Sequence, residues 1–383
     1  MKAPQDPRPI RVGFVVHVMN VAGAEMLVAE TMRRLGSRIE PVVFCLDAVG
    51  VLGERLQREG VPVVSFSRRT GLHLGLARRM AKEIRARRLE VIHAHQYTPF
   101  FYSAIAARLS GVRPRVIFTE HGRHFPDIVS ATRRLANRLV LDRLADHVNA
   151  VCHFSARSLS EKDGFAPGRI QVIENGVDLP RYAHNHDQRT LRLSLGLDPD
   201  RRYVTTVARL HPVKDHHTLL RAFATVARAR PDADLLLVGD GELRHDLERL
   251  AVELDIAQRV RFLGVRDDVA QLLLASDVFA LTSLSEAASI TLLEAMACAL
   301  PVVVTAVGGN PEIVRDGIDG LLAPRGDAPA IAAALLRLLN DTALARALGQ
   351  SGAERVQASF QLDTTIGRYY ELYTGHDGRS LAA

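Results

Sequence analysis

Short runs of apolar residues alternate along this chain with longer stretches in which apolar positions recur at helical spacing. In the first half the runs lie at Ile10–Val18, Pro41–Leu46, Val61–Phe66, Val91–Ala94, Arg115–Thr119, His147–Cys152 and Ile170–Ile173. In the second half they lie near Tyr203–Ala208, Asp234–Val238, Val260–Leu263, Val278–Leu281, Pro301–Val304 and Gly320–Leu322. Each is the length of a strand and is apolar on successive rather than alternate positions, as strands covered on both faces are. Helices are predicted between them, in the second half near Lys214–Ala229, Glu242–Leu254, Asp267–Leu274, Ile290–Cys298, Asn310–Arg315 and Ala328–Leu339. Strand and helix alternate throughout, which predicts an α/β fold with parallel sheets. The tail, Phe360–Tyr373, carries aromatic and apolar residues at helical spacing and reads as a closing helix returning to the first domain.

Parallel sheets bind ligands beyond the C-terminal ends of their strands. In the first half that rule selects the small-residue turn Asn20–Glu25, which contains Gly23, and the segments His93-Ala94-His95 and Thr119-Glu120-His121-Gly122. His93 and His95 are read as lying on opposite faces of their strand, at least one of them structural. The turn is not a G-x-G-x-x-G, so a nicotinamide cofactor is not indicated. In the second half the rule selects Arg209 and Lys214, Gly239-Asp240-Gly241, Gly264-Val265-Arg266 and Gly308-Gly309-Asn310. Arg209 and Lys214 place two cations at one strand–helix turn, where a diphosphate could sit.

The densest chemistry lies in Ser283–Ala297, a polar loop that becomes an apolar helix. Glu286 sits in the loop and Glu294 inside the helix. A helix N-terminus offers unpaired N–H groups and a partial positive charge, suited to phosphate or polyol. The carboxylates are suited to accept hydrogen bonds from hydroxyls. A ligand with both phosphate and sugar hydroxyls answers to both features.

At 383 residues, 47% of them hydrophobic and 24% charged, the chain is long enough for two packed domains. The three cysteines, Cys45, Cys152 and Cys298, are scattered and odd in number, which points to a reducing compartment. No apolar run reaches membrane-spanning length, and the proline-rich, charged N-terminus is not a signal peptide. Charge is uneven: residues 1–180 hold 27 Lys+Arg against 17 Asp+Glu, leaving 22 against 26 in the remainder. Much of the excess lies in two stretches, Arg78, Arg79, Lys82, Arg85, Arg87 and Arg88, and then Arg133, Arg134, Arg138 and Arg143. These are solvated helix faces or a surface for anionic lipid. Nucleic acid is disfavoured, because aromatics are 5% of the chain and single-strand platforms need stacking rings.

Two D-x-D stretches, Asp198-Pro199-Asp200 and Asp232-Ala233-Asp234, are better read as turns before strands than as metal sites. A cluster of His121 and His124 with Glu120 and Asp127 would need a convergence that a strand-end loop does not guarantee. No metal and no cofactor are expected.

Taken together, the residues quoted resemble the retaining glycosyltransferases of family 4, over nearly the whole chain. The most specific features are the E-x7-E pair Glu286 and Glu294 continued by Ala295-Met296-Ala297-Cys298, then Arg209 and Lys214, Val238-Gly239-Asp240-Gly241 and Asn175-Gly176-Val177-Asp178. The resemblance implies the GT-B fold, two Rossmann-like domains with parallel sheets facing across a cleft. Domains are expected at 1–180, binding acceptor, and 181–358, binding nucleotide-sugar, with residues 359–383 crossing back to the first and the polar segment Arg181–Arg189 as linker.

The resemblance also implies roles. Glu294 would hold the ribose of a sugar nucleotide and Glu286 the hydroxyls of the transferred sugar. Arg209 and Lys214 would bind the diphosphate and stabilise the departing charge. The backbone of Ala288, Ser289 and Ile290 would add N–H donors, Val265 and Arg266 would receive the base, Gly23 would face the phosphates and His121 would lie near the reacting sugar. Two departures stand out: Glu286 is followed by Ala287-Ala288-Ser289 where the family often has Gly-Phe-Gly, and Ala22 replaces a common second glycine. The expected function is transfer of a sugar from a UDP- or GDP-linked donor to a sugar or lipid-linked acceptor hydroxyl, in glycolipid, polysaccharide or other cell-envelope glycan synthesis. The expected location is cytoplasmic, with peripheral contact at the inner face of the cell membrane through an anionic lipid surface. The alternatives are an epimerase or phosphorylase on the same fold, or a non-catalytic membrane-associated scaffold.

Overall fold

The computed structural model describes residues 8–69, 71, 73–122, 129–182 and 187–376. The chain forms two compact units. One runs to Glu174 and resumes at Asp363; the other spans Asn175–Leu362. Arg181 and Arg189, the ends of the expected linker, both fall within the second unit, and residues 183–186 between them lie outside the described residues.

Among the described residues the first unit holds seven strands: β1 (Ile10–Val18), β2 (Ile39–Ala48), β3 (Val63–Ser65), β4 (Val91–His95), β5 (Arg115–Glu120), β6 (His147–Ala150) and β7 (Ile170–Val172). They form one sheet in the order β3-β2-β1-β4-β5-β6-β7, every neighbouring pair parallel. All five residues of β4 are buried, as its position in the middle of the sheet requires. Phe14, Phe44, Phe100 and Phe118 are completely buried.

The second unit holds six: β8 (Arg202–Val207), β9 (Ala233–Val238), β10 (Val260–Gly264), β11 (Val278–Leu281), β12 (Val302–Thr305) and β13 (Leu321–Ala323). Their order is β10-β9-β8-β11-β12-β13, again all parallel. All thirteen strands fall where the apolar runs placed them. Each sheet is wound outward in both directions from its first strand. The order therefore reverses between β1 and β4, and between β8 and β11. The loops leaving two adjacent strands there diverge to opposite faces of the sheet and open a crevice.

One long helix was not legible in the sequence. Thr342–Ser359 is an 18-residue helix whose buried positions are Leu348, Gly349, Gly352 and Val356. Two of the four are glycines, so the apolar stripe that marks a helix is missing. Bulk is excluded by packing: a Cβ at Gly349 would lie 2.1 Å from the Ala299 carbonyl oxygen. The last helix, Leu362–Thr374, packs on the first sheet through Tyr369 and Tyr373, both against His93.

Candidate functional site

In the second unit, the reversal between β8 and β11 joins the loops that carry the predicted cations and acids. The loop after β8 runs through Arg209 into a short 3-10 turn, Pro212–Lys214. The loop after β11 contains Glu286. The two are stitched by Leu284 N–H to the Val213 carbonyl at 2.8 Å, and by the Thr282 hydroxyl to the carbonyls of Lys214 and Asp215. Across this seam the Lys214 ammonium forms an ion pair with Glu286 Oε2. Ser283 Oγ donates to the same carboxylate oxygen at 2.9 Å. Lys214 and Glu286, 72 positions apart in sequence, thus neutralise one another in a largely desolvated pocket where ionic contacts are stronger than in water. An incoming anion competes with Glu286 for Lys214, and an incoming hydroxyl takes the carboxylate in exchange.

Arg209 is exposed, and among the described residues its guanidinium has no hydrogen-bond or ion-pair partner. The structure therefore presents one committed and one uncommitted cation at the end of β8.

The helix Ile290–Ala297 begins four residues after Glu286. Ser289 is its N-cap: its hydroxyl accepts the Leu292 amide at 3.3 Å and lies 3.1 Å from the Thr291 hydroxyl. The residue standing where the family often has glycine thus caps the helix. A serine cap contributes about 1 kcal/mol. Ala287 is buried, and the Ala288 carbonyl accepts from Asn175 Nδ2 at 3.1 Å. The amide of Ile290, at the first helical position, is turned to the open end of the helix.

Glu294 projects from the second turn of this helix. Its Oε1 accepts a 2.7 Å hydrogen bond from the Tyr182 hydroxyl. Burial raises the Glu294 pKa above the ordinary carboxylate range, while the Tyr182 hydrogen bond and the Arg181 charge oppose that rise. Burial and the neighbouring carboxylate push the Tyr182 phenol upward, so it remains a donor.

The glycines at the strand ends are explained by backbone approach. A Cβ on Gly239 would lie 2.1 Å from the Ala208 carbonyl oxygen, and one on Gly241 2.4 Å from that of Leu210. A Cβ on Gly308, whose φ is +57°, would lie 1.7 Å from the Glu286 carbonyl oxygen. The Gly309 amide donates to that carbonyl at 3.0 Å. These glycines let the loops interleave and so fix the backbone of Arg209 and Glu286. Val265 is 66% exposed beyond β10, and the Arg266 guanidinium pairs with both Asp268 oxygens.

In the first unit, Gly23 is the exposed first residue of the helix Gly23–Leu35, and its φ is not positive. His121 follows β5, with its Nε2 2.8 Å from His95 Nδ1. The expectation that His93 and His95 point to opposite faces is wrong. Side chains alternate along a strand with period two, so residues two apart share a face. Their ring centroids are 4.2 Å apart. His93 bridges the Tyr373 hydroxyl at 2.7 Å and the Thr119 hydroxyl at 2.8 Å. Burial lowers the pKa of His121 to about 4 and that of His93 to about 3, and lowers His95 as well, so all three are neutral at pH 7.

The aspartates of the two D-x-D stretches are taken up locally. Asp200 pairs with Arg189, Asp232 with Arg230, and Asp234 with both Arg201 and Arg259. His124 and Asp127 lie outside the described residues. Of the basic stretches, Arg79, Arg85, Arg87 and Arg133 are engaged internally, with the Phe66 carbonyl, the Ser110 carbonyl, Glu83 and Asp163.

Sequence reasoning singled out Arg209, Lys214, Glu286 and Glu294 but not Tyr182, Ser283 or Arg181, whose charge acts on Glu294. Ser283 was discoverable, being three residues from Glu286 in the same loop. Tyr182 lies 112 positions before Glu294, with no local pattern to connect them.

Residues 21–181 match the family model for glycosyltransferase family 4, and residues 187–355 that for glycosyl transferases group 1. The chain is 32% identical over 304 residues to the N-acetyl-alpha-D-glucosaminyl L-malate synthase of Bacillus anthracis, covering 78% of each chain. It is 30% identical over 303 residues to an Escherichia coli UDP-Gal:alpha-D-GlcNAc-diphosphoundecaprenol alpha-1,3-galactosyltransferase, covering 76% of this chain and 77% of that one. The crystal structure of Anabaena HepE in complex with UDP-glucose superposes with a TM-score of 0.84 at 26% identity, over 96% of this chain and 100% of that one. The two family models, the identity of these relatives and the paired parallel sheets lead to one conclusion: the chain belongs to glycosyltransferase family 4 and is a glycosyltransferase of the GT-B fold.

Proposed function

We propose that the protein is a retaining enzyme that transfers a sugar from a UDP- or GDP-linked donor to an acceptor hydroxyl, in the synthesis of a glycolipid, polysaccharide or other cell-envelope glycan. The observation that carries this reading is the Lys214–Glu286 pair across the β8–β11 reversal, with Arg209 uncommitted beside it in the same loop. A diphosphate supplies the anion that displaces Glu286 from Lys214 and also engages Arg209. The released Glu286 then accepts hydrogen bonds from the transferred sugar. Glu294 takes the ribose hydroxyls. The amides of Ala288, Ser289 and Ile290 face sugar or phosphate, Val265 and Arg266 receive the base, and Gly23 and His121 keep the roles that the family resemblance implies.

In the proposed step the bond between the anomeric carbon and the phosphate oxygen breaks, and a bond from the acceptor oxygen forms on the same face of the sugar. The acceptor proton passes to the leaving phosphate. Arg209 and Lys214 stabilise the charge that develops on that phosphate, a contribution to which a single fixed donor typically adds about 3–4 kcal/mol. Because the phosphate takes the proton, no second carboxylate base is required. The relatives named for lipid-linked and nucleotide-linked substrates support this reading.

The test is a panel of UDP-, GDP- and ADP-sugars offered with lipid-linked and free sugar acceptors, the product anomer being read by proton NMR. An inverted anomer overturns the retaining mechanism. Absence of binding or turnover of every donor, with Glu294→Ala indistinguishable from wild type, overturns the nucleotide-sugar reading. Product formed without acceptor indicates the epimerase.

We also propose peripheral binding to an anionic membrane surface from the cytoplasmic side. Among the described residues no single helix is long and apolar enough to cross a membrane. The helix Ala131–Ala136 and the π-helical turn Asn137–Leu141 expose Leu135, Leu139 and Val140 beside exposed Arg134, Arg138 and Arg143. Apolar side chains flanked by arginines suit the headgroup layer of anionic lipid. Flotation with vesicles containing phosphatidylglycerol is expected to fail for Leu135→Ser/Leu139→Ser. Equal flotation of wild type with neutral vesicles rules the surface out.

A further inference from the structure

Glu294 is held from one side only. The Tyr182 hydroxyl engages Oε1 at 2.7 Å, and among the described residues no other donor reaches the carboxylate. Oε2 is left with its lone pairs free. Tyr182 is 3% exposed and packs in the same apolar cluster as Leu292 and Leu293, the neighbours of Glu294 on its helix. Its backbone is equally constrained. Tyr182 ends a 3-10 turn, Leu179–Tyr182, whose Arg181 amide bonds to the Asp178 carbonyl. One residue before Asp178, Val177 donates to the Phe360 carbonyl and accepts from the Leu362 amide. At Gly176 a Cβ would lie 2.5 Å from the Gln361 backbone, so no side chain fits. The phenol therefore stands on a segment pinned at Val177 to the last residues of the second unit, and it is aimed at one carboxylate oxygen.

We propose that Tyr182 is a positioning residue for the donor: its hydroxyl fixes the rotamer of Glu294 so that Oε2 accepts the vicinal hydroxyl pair of a ribose. This rests on the assignment of Glu294 to the ribose. A carboxylate free to rotate would offer four acceptor directions to solvent; one pinned by a single hydrogen bond offers a defined pair. A phenylalanine would fill the same apolar pocket, so packing alone does not account for the hydroxyl. The hydroxyl also favours the ionised carboxylate, together with Arg181 on the same turn and against burial. Cys298, one turn further along the helix, is the remaining titratable group that bears on Glu294, and it stays a neutral thiol because burial raises its pKa.

The test is Tyr182→Phe, which deletes one oxygen, compared with wild type and Glu294→Ala. Calorimetric binding of UDP, GDP and their 2′,3′-dideoxy counterparts is measured for each, with donor kinetics across pH for the active variants. Wild type is expected to prefer the ribose form by tenfold or more. Tyr182→Phe is expected to lose about tenfold in affinity for the ribose form alone and to raise the donor KM by a similar factor with kcat within about twofold. Its acidic limb of kcat/KM moves to higher pH, because a hydrogen bond that held the Glu294 pKa down is gone. Equal weakening of ribose and dideoxy forms with an unmoved acidic limb assigns Tyr182 to structure and overturns the proposal. If wild type does not discriminate and Glu294→Ala binds UDP and GDP undiminished, the ribose assignment of Glu294 falls, and the proposal falls with it. Tyr182→Leu, which lacks both ring and hydroxyl, separates a melting-temperature loss from the ribose-specific one.

Discussion

The two sheets are wound alike but end in different chemistry. At the end of the second, Lys214, Glu286 and Arg209, whose side chains retain some exposure, gather near a helix from whose second turn Glu294 projects. At the end of the first, buried His93 and His95 and half-buried His121 form a chain with Thr119 and Tyr373, and desolvation lowers the pKa of all three rings. The first arrangement can exchange an internal ion pair for a charged ligand. The second can only donate or accept neutral hydrogen bonds, and its geometry is set by packing. One architecture thus supplies an ionic surface and a neutral one, and the difference arises from where the strand-end side chains are desolvated.

The strongest test of that contrast removes a charge from the ionic end. Beside the melting-temperature loss that comes from leaving Glu286 unpaired, Lys214→Met is expected to lower kcat by on the order of 10²–10³-fold, the usual result of deleting one transition-state donor. An equal loss from His95→Phe, with the fold intact by circular dichroism, would erase the distinction between the two ends.

Next in size is Gly308→Ala. Its methyl group would meet the Glu286 carbonyl oxygen at 1.7 Å in a residue with φ of +57°. The loop carrying Glu286 must shift, and both stability and donor affinity are expected to fall, by several kcal/mol in stability. Gly326→Ala, at φ +73° with open space around it, isolates the backbone strain and is expected to cost about 1 kcal/mol. If the two variants melt together, the close approach at Gly308 is not limiting.

The neutral end has its own signature in pH. A histidine whose pKa is lowered by folding binds fewer protons folded than unfolded between the two values, so stability rises with pH there. The contribution is complete above about pH 6.5, the value for an unperturbed imidazole. It is lost progressively as the pH falls towards about 4, the value for His121, and about 3, that for His93. His216 in the second unit, lowered to about 4, adds to the same window. Thermal melts at pH 7, 5.5 and 4 should show a falling midpoint, and His121→Asn should flatten the slope by about one proton. An unchanged slope would mean that His121 is not held neutral by burial.

The smallest expected effect is that of Ser289→Ala. It removes the cap from the Ile290–Ala297 helix and is expected to cost about 1 kcal/mol, read as a small shift in denaturant midpoint. A large loss of donor affinity beyond this would show that the hydroxyl contacts ligand as well.

The strands were legible because a strand covered on both faces must be apolar at successive positions, whatever lies far away in sequence. The charged site residues were legible for a related reason: Arg209, Lys214 and Glu286 sit in loops whose location the strand pattern dictates, and Glu294 lies in the helix that follows one of them. The helix Thr342–Ser359 was hidden because glycine, at Gly349 and Gly352, does the packing that larger apolar residues usually advertise. The shared face of His93 and His95 follows from strand periodicity, but their contact with His121 and Tyr373 does not.

Sequence patterning was therefore sufficient for the alternation of strand and helix, the parallel sheets and the chemical types gathered at the strand ends. Those properties are local: a residue's spacing and polarity constrain them directly. Tertiary structure alone decided which groups meet. Lys214 finds Glu286 because the strand order reverses between β8 and β11. Tyr182 finds Glu294 because the chain is pinned at Val177 and Gly176. His93 is desolvated beneath a helix more than 260 residues later, whose Tyr369 and Tyr373 pack on its ring. Partnership and desolvation depend on elements distant in sequence, and no local pattern carries that information.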